Sequence, residues 1–383
     1  MPVLACAATN RISRPLCRIS SAASSSVVPV SVSTRPIYIA RLCNRQTVRP
    51  VVSYAGSVNE GWGEVRLHVV TGKGGTGKTT VAGALALSLA ADGRRVLLVE
   101  VEGRQGIAQL FDVPPLPYEE RQVAVARDGG AVYALAVDPE AALLDYLETF
   151  YRLGRAGRSL ERIGLVDFVT TVAPGLRDVL LTGKFAESVR RRRGNGYAYD
   201  AVVVDAPPTG RIARFLNVTS EVAGIARVGP VRTHADMVLG VIRSPQTAVH
   251  FVSLLEEMPV QETADGIAEL EQTGIPVGAV LVNMVRERML PTDQLRAAAA
   301  GQVDTDALAD GLAKAGVDAS DRTVEALAAE LVDHAQRVGA EDEARKTIEA
   351  LDNRVLELPF LPDGVDIGAL HQLAARIEEQ VNP

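Results

Sequence analysis

The residues best suited to chemistry lie in one stretch, Gly72-Lys73-Gly74-Gly75-Thr76-Gly77-Lys78-Thr79-Thr80. Gly72, Gly77, Lys78 and Thr79 complete the spacing G-x-x-x-x-G-K-[ST] of a phosphate-binding loop. The glycines, with Thr76 among them, let the backbone turn successive N–H groups toward one point. A helix starting there adds the positive end of its dipole. Lys78 is expected to reach the β- and γ-phosphates, and the Thr79 hydroxyl to coordinate Mg2+ beside Thr80. The expected cofactors are therefore ATP and Mg2+. Lys73 is a second lysine that the general motif does not require. A loop lysine with no phosphate of its own is usually a solvated charge.

A second constellation is Ala201-Val202-Val203-Val204-Asp205-Ala206-Pro207-Pro208-Thr209-Gly210. An Asp ending an apolar strand holds the water shell of Mg2+ and so senses the γ-phosphate. Gly210 can supply an amide near that phosphate, and the helix expected over Ile212 to Leu216 can carry loop movement outward. Two strand ends add further candidates. Arg95 to Glu102 finishes in carboxylates, where Glu102 could orient the attacking water or help hold the metal. Val277 to Asn283 finishes in an amide able to donate to and accept from a purine edge.

These groups converge only on a sheet whose strands end at one edge. The chain supplies it: short apolar runs at Val65–Val70, Arg95–Glu102, Ala131–Val137, Ala201–Val204, Val277–Asn283 and Val355–Leu361 read as buried parallel strands. Helical spacing falls over Val81–Ala91, Pro139–Leu153, Leu165–Val172, Gly175–Arg193, Thr263–Gln272, much of 292–352 and Leu370–Val381. Residues 211–260 are the least readable. The expected architecture is α/β, a mostly parallel sheet flanked by helices, with an α-helical subdomain built from about 139–195 and 211–260. The Arg190–Arg193 run reads as a solvated helix end. His234 and His250 belong to no spaced ligand set and read as packing or surface residues.

The 383 residues are 47% hydrophobic and 23% charged, a globular composition. No apolar run approaches the ~18 residues of a membrane span. The last helix has an acidic polar face, which argues against membrane-surface binding. Residues 1–60 differ: the first 59 hold no Asp or Glu, seven Arg and all three cysteines, Cys6, Cys17 and Cys43. Acid-poor, Arg- and Ser-rich sequence is typical of organelle transit peptides, and equally of upstream DNA translated from a start codon set too early. Either way it is expected to stand outside the fold. Residues 61–383 carry 33 Lys+Arg against 46 Asp+Glu, a net charge of −13, which argues against nucleic-acid partners. The same segment has no cysteine, so it offers no disulfide, thiolate zinc site, iron–sulfur cluster or thiol capture of metalloids.

The variant G-K-G-G-x-G-K-[ST]-[ST] resembles the deviant Walker A loop of dimeric ATPases. With the strand end Glu100–Phe111, the segment Asp205–Leu216, and Asn283 with Pro359–Val365, it resembles the ArsA-type ATPases over residues 65–383. That family includes the arsenite-pump ATPase and the Get-pathway targeting ATPase. Val204-Asp205-Ala206-Pro207-Pro208-Thr209-Gly210 is the most distinctive piece, close to the family's D-x-A-P-T-G. Gly103 to Phe111 looks most like an actinobacterial branch of anion-transporter ATPases, often encoded as paired genes. The resemblance implies a P-loop fold that closes as a dimer around two ATP molecules. Lys73 would then act on the partner's nucleotide, Asp205 would serve switch II, and Asn283 with the Pro359 to Val365 loop, Pro362 included, would enclose adenine.

Three departures narrow the reading. The family's switch I aspartate is matched by Glu102, one methylene longer, and ~1 Å of misplacement can cost ~100-fold in rate. The zinc-binding Cys-x-x-Cys of the Get-type dimer is absent, as are the arsenite cysteines and a methionine-lined client groove. The expectation is thus a Mg-dependent ATP hydrolase that dimerises with itself or a paired homologue and acts on a protein client or partner. The alternative is a nucleotide-binding structural subunit, weakly active alone, of a heteromeric complex. A membrane- or DNA-positioning ATPase of the MinD/ParA type shares the loop but would need a basic tail or face. The actinobacterial-like body favours the cytoplasm; a plastid is the alternative if residues 1–60 are a transit peptide.

Overall fold

A computed structural model describes residues 62, 64–151, 174–225 and 230–382. The elements, in chain order, are β1 (Leu67–Gly72), α1 (Lys78–Leu89), β2 (Arg95–Glu100), α2 (Gly106–Leu110), β3 (Arg121–Val125), β4 (Ala131–Ala136), α3 (Pro139–Tyr151) and α4 (Pro174–Arg190). There follow the short strands β5 (Arg192–Arg193) and β6 (Gly196–Tyr197), then β7 (Ala201–Asp205), α5 (Thr209–Ile225), α6 (Pro230–Ile242), β8 (Thr247–Ser253), α7 (Glu257–Thr273) and β9 (Val277–Val285). The chain ends with α8 (Thr292–Ala299), α9 (Thr305–Lys314), α10 (Asp321–Glu349), β10 (Val355–Pro359) and α11 (Ile367–Val381).

Eight strands form one sheet in the order β10-β9-β8-β1-β7-β2-β4-β3, parallel except for β3, which runs antiparallel against β4 at the edge. The central strands are buried throughout, because helices cover both faces. Alternation along each strand sends Leu67, Val69, Leu97, Val99, Val202 and Val204 to one face, packed with α4 to α7. Val70, Val96, Leu98 and Val203 go to the other, under α1 and α11. The apolar runs recognised in the sequence are therefore two-sided core strands. Asp366 caps α11 by accepting the Ala369 N–H at 2.7 Å.

Two expectations are corrected. Residues 247–253, within the stretch assigned to a helical subdomain, form β8 and sit beside β1 in the middle of the sheet. A histidine interrupts their apolar run, and the fold accommodates it by pairing. The Ala279 N–H donates to His250 Nδ1 at 3.0 Å, so His250 Nε2 carries the proton and faces His68 Nδ1 at 3.0 Å. Both rings are fully buried, and Trp62 meets each of them edge-on. The second concerns the extent of the helix before the arginine run, which does lie at a helix end with Arg190, Arg192 and Arg193 exposed. α4 stops at Arg190, Arg191 pairs with Glu120 and Glu187, and Arg192–Arg193 turn back as a hairpin in which Arg66 and Arg192 stack on Tyr197. The helix expected over Leu165–Val172 and the leader 1–60 lie outside the described residues, apart from the body's Trp62 onward.

Helices α3 to α6 share a core with the sheet: Phe185 of α4 meets Phe215 of α5 with centroids 6.3 Å apart, and the Thr182 and Thr219 hydroxyls hydrogen-bond at 3.2 Å. Two compact units are distinguished in the chain. Among the described residues one comprises Asp304–Ala326, where Asp304 caps α9 at the Ala307 N–H and Asp318 accepts from Ser320 and Thr323. The other holds the sheet and the remaining described helices, including a small apolar cluster of Leu295 and Ala298 with Ala335 and Val338. Among the described residues no helix is long and apolar enough to cross a membrane.

Candidate functional site

The loop between β1 and α1 lies at the carboxyl edge of the sheet, flanked by β7 and β8. Its conformation follows from its glycines. A side chain at Gly72 would run into the Val252 carbonyl, and Gly77, the N-cap of α1, has φ +82° with the Asn283 amide against it. Thr76 folds inward, its hydroxyl donating to the Lys73 carbonyl at 2.8 Å. Gly74 and Gly75 line the open side, where a side chain at either would meet nothing within 4 Å. Lys78, Thr79 and Thr80 form the first turn of α1.

Across the loop, Asp205 ends β7 in register with Val70 and Glu100. Thr79 Oγ1 donates to Asp205 Oδ2 at 2.7 Å, so the two expected metal-side residues meet. Burial pushes the Asp205 carboxyl up to about 6; the Thr79 hydrogen bond and the Lys78 charge oppose this, and the Glu100 and Glu102 charges add to it. This is a concentration of negative charge that a cation would relieve.

The residue missed from sequence is Glu100. Its side chain is 3% exposed, Oε2 accepts the Ile107 N–H at 3.1 Å, and Oε1 is buried with no partner. Glu102 lies beyond the strand end, 20% exposed, with Arg104 3.9 Å away. A second unpartnered buried oxygen is Thr209 Oγ1, at the start of α5. The signal for Glu100 was available: two carboxylates two positions apart, of which register alone selects the one beside Asp205. A hydroxyl, a carboxylate and free carboxylate oxygen form a hard oxygen set suited to Mg2+, which binds through one or two protein carboxylates plus substrate phosphates. Among the described residues no group of three or more His, Cys, Asp and Glu is placed to hold a metal ion.

The other candidates are placed as follows. Lys73 leaves the loop and pairs in its own chain with Glu262 of α7, Nζ to Oε1 3.0 Å, at about one-third exposure. Such a pair contributes about 0.2–1 kcal/mol, so it is readily exchanged for a better anion. Gly210 is exposed at the first turn of α5 with open space around it. The segment before it is tethered, since the Thr71 hydroxyl donates to the Pro207 carbonyl at 2.7 Å. Asn283 is buried and its amide donates to the Thr76 carbonyl at 2.9 Å, fastening β9 to the loop. Beside it Met284 takes φ +57°, a strained value for a side-chain-bearing residue, and stays exposed. The Phe360 N–H donates to the Val285 carbonyl, which brings the Pro359–Pro362 loop next to the end of β9; Phe360 itself is exposed.

A glycine-rich loop on a helix N-terminus, a hydroxyl–carboxylate pair across it and a parallel sheet behind define a P-loop nucleoside triphosphatase. Comparison with known proteins agrees. Residues 65–238 match the family described as anion-transporting ATPase. The chain is 54% identical over 331 residues to ATPase BagA of Mycobacterium tuberculosis, covering 85% of this chain and 97% of that protein. It is 27% identical over 265 residues to the arsenical pump-driving ATPase of Escherichia coli, 62% of this chain and 42% of that one. It is 26% identical over 179 residues to ATPase GET3 of Rhodotorula glutinis, 45% and 48% respectively. The chain belongs to the ArsA-type ATPase family and is an ATP-hydrolysing enzyme.

Proposed function

We propose that this protein is a Mg-dependent ATP hydrolase that dimerises around nucleotide and converts hydrolysis into movement of α5 that acts on a protein client or partner. The observation that carries the reading is the 2.7 Å contact between Thr79 of the loop and Asp205 of β7. Lys78 and the loop amides hold the phosphates. Thr79, Asp205 and the free oxygen of Glu100 would hold Mg2+ and its water, and the ion, when bound, would supply charge neutralisation at the phosphates. Glu102 orients the attacking water. Asn283 and the Pro359–Pro362 loop, with the exposed Met284 and Phe360, enclose the adenine.

Lys73 supports the dimer. Its weak pairing with Glu262 keeps it outside its own cradle and free to exchange that carboxylate for the phosphates of a second protomer. The second protomer is another copy or a homologous ATPase. The cytoplasm supplies the ATP, or the plastid if residues 1–60 direct the chain there. One observation favours the alternative of a weakly active subunit in a heteromer: Glu102 already has Arg104 beside it and stands further from Asp205's strand than Glu100 does.

Steady-state turnover of the full chain, with Lys73→Ala and Lys78→Ala beside it, tests the reading. Specific activity that rises with protein concentration and is lost in both variants is the expected result. Tight ATP binding without turnover, at any concentration, would overturn it for the chain alone and leave the heteromeric subunit, checked by adding a homologous ATPase.

A further inference from the structure

A second polar cleft, of about 200 Å³, opens beside the switch segments. Its walls come from three places: Glu102 and Arg104 after β2, Arg177 and Asp178 in the first turn of α4, and Pro207 and Arg211 around the start of α5. Three guanidinium groups thus face two carboxylates. Several arginines of this protein sit beside acids: Arg191, Arg345 and Arg127 have two each, and Arg232 and Arg376 each pair with an acid one turn along their helix. Arg177 and Arg211 are different. Neither makes an ion pair among the described residues, and Arg177 Nε is buried without a hydrogen-bond partner. An unsatisfied buried donor of a charged group is costly, and a bound water or ion is one of the ways in which such a group is completed. Asp178 does not complete them. Burial pushes its carboxyl up, and the charges of Arg211, Arg177 and Arg214 pull it back without a contact being made.

We propose that this cleft binds a small anion carrying at least two negatively charged oxygens, a phosphate or a short dicarboxylate, clamped between Arg177 and Arg211. Planar guanidinium forks suit paired oxygens better than single charges. The volume admits an ion of that size. The position gives the site a consequence. Pro207 and Arg211 follow Asp205 directly, and Glu102 follows Glu100, so the walls of the cleft are the segments that respond to the γ-phosphate. Whatever binds there is linked to nucleotide state, and the linkage is reciprocal.

Phosphate released by the reaction and a dicarboxylate from solution share this chemistry, and one titration separates them. The full chain is saturated with ADP and Mg2+ so that the loop is filled, then titrated calorimetrically with inorganic phosphate and, separately, with succinate. At least one probe is expected to bind with Kd below about 1 mM, and Arg177→Gln and Arg211→Gln each weaken it by about tenfold or more. ADP affinity stays within about twofold, since neither arginine belongs to the nucleotide cradle. Binding of phosphate alone identifies a product site; binding of succinate identifies a carboxylate ligand. No binding of either probe at about 10 mM overturns the proposal, as does binding that both variants retain. Arg211 is exposed on α5 and its replacement leaves the fold intact, so one variant is interpretable even where Arg177→Gln destabilises. ADP affinity is read in the same experiment, so failure of the nucleotide reading is distinguishable from failure of this one.

Discussion

His68 and His250 meet at 3.0 Å between β1 and β8, both fully buried, and the Ala279 N–H fixes which ring nitrogens carry protons. Burial holds His68 down at about 3 and His250 well below the usual imidazole range, the neighbouring ring adding to the effect on His250. A folded-state value below the unfolded one means that the unfolded chain takes up the proton first. The stability from neutral burial is therefore complete above about pH 6.5 and is lost as pH falls toward the folded value. For His68 the loss at pH 5 is about 2 kcal/mol, and His250 adds to it in the same direction, against a total stability of about 5–15 kcal/mol. Asp205 works in the opposite sense, because its raised carboxyl gains stability as pH falls. The comparison that isolates the histidine is urea unfolding of the full chain and of His68→Phe at pH 8 and pH 5. The variant begins about 1–3 kcal/mol lower, since His250 Nε2–H loses its acceptor. Its further loss on acidification should nevertheless be smaller by about 2 kcal/mol. Equal losses in the two proteins would refute the assignment of a neutral, buried His68.

Four other outcomes are expected. Asp205→Asn should lower turnover by about 100-fold or more while ATP binding survives, measured by single-turnover hydrolysis beside equilibrium titration. Glu100→Gln should raise the Mg2+ concentration needed for tight ATP-analogue binding by about tenfold, because one of the oxygens assigned to the ion and its water is neutralised. Glu262→Gln should leave thermal stability within about 0.2–1 kcal/mol of the parent and lower the protein concentration at which turnover rises, since Lys73 is released. Gly266→Val should destabilise by about 1–3 kcal/mol in urea unfolding, because a side chain there meets Thr209 and the Phe251 ring.

The parts of the site that were legible in sequence are those set by local geometry. The glycine spacing of residues 72–77 admits few conformations, and an apolar run ending in Asp205 is readable because every residue of β7 is buried. β8 was not legible because His250 sits where an apolar residue is expected, and its partners come from β1 and β9, distant in sequence. β3 escaped because it is an edge strand with exposed and half-buried residues, Arg121 to Val125, and carries little alternation. Glu100 and Glu102 could not be ranked from sequence, since strand register decides which carboxylate stands next to Asp205. Arg177 was hidden for a similar reason: its neighbours in the cleft are brought by β2 and α5.

Helix α7 places Glu262 one turn before Gly266. The first holds Lys73, and the second lies against Thr209 at the head of α5. In the proposed dimer, one turn of helix would thus touch a residue that reaches the partner's nucleotide and a segment governed by the protomer's own. In a closed dimer of the proposed kind, departure of Lys73 loosens one end of this turn while Thr209 still presses on the other. In that dimer each protomer would carry a coincidence detector: full release of α7 would require both that its own phosphate state has changed and that its lysine is engaged next door. Two such detectors facing each other favour paired firing over independent turnover.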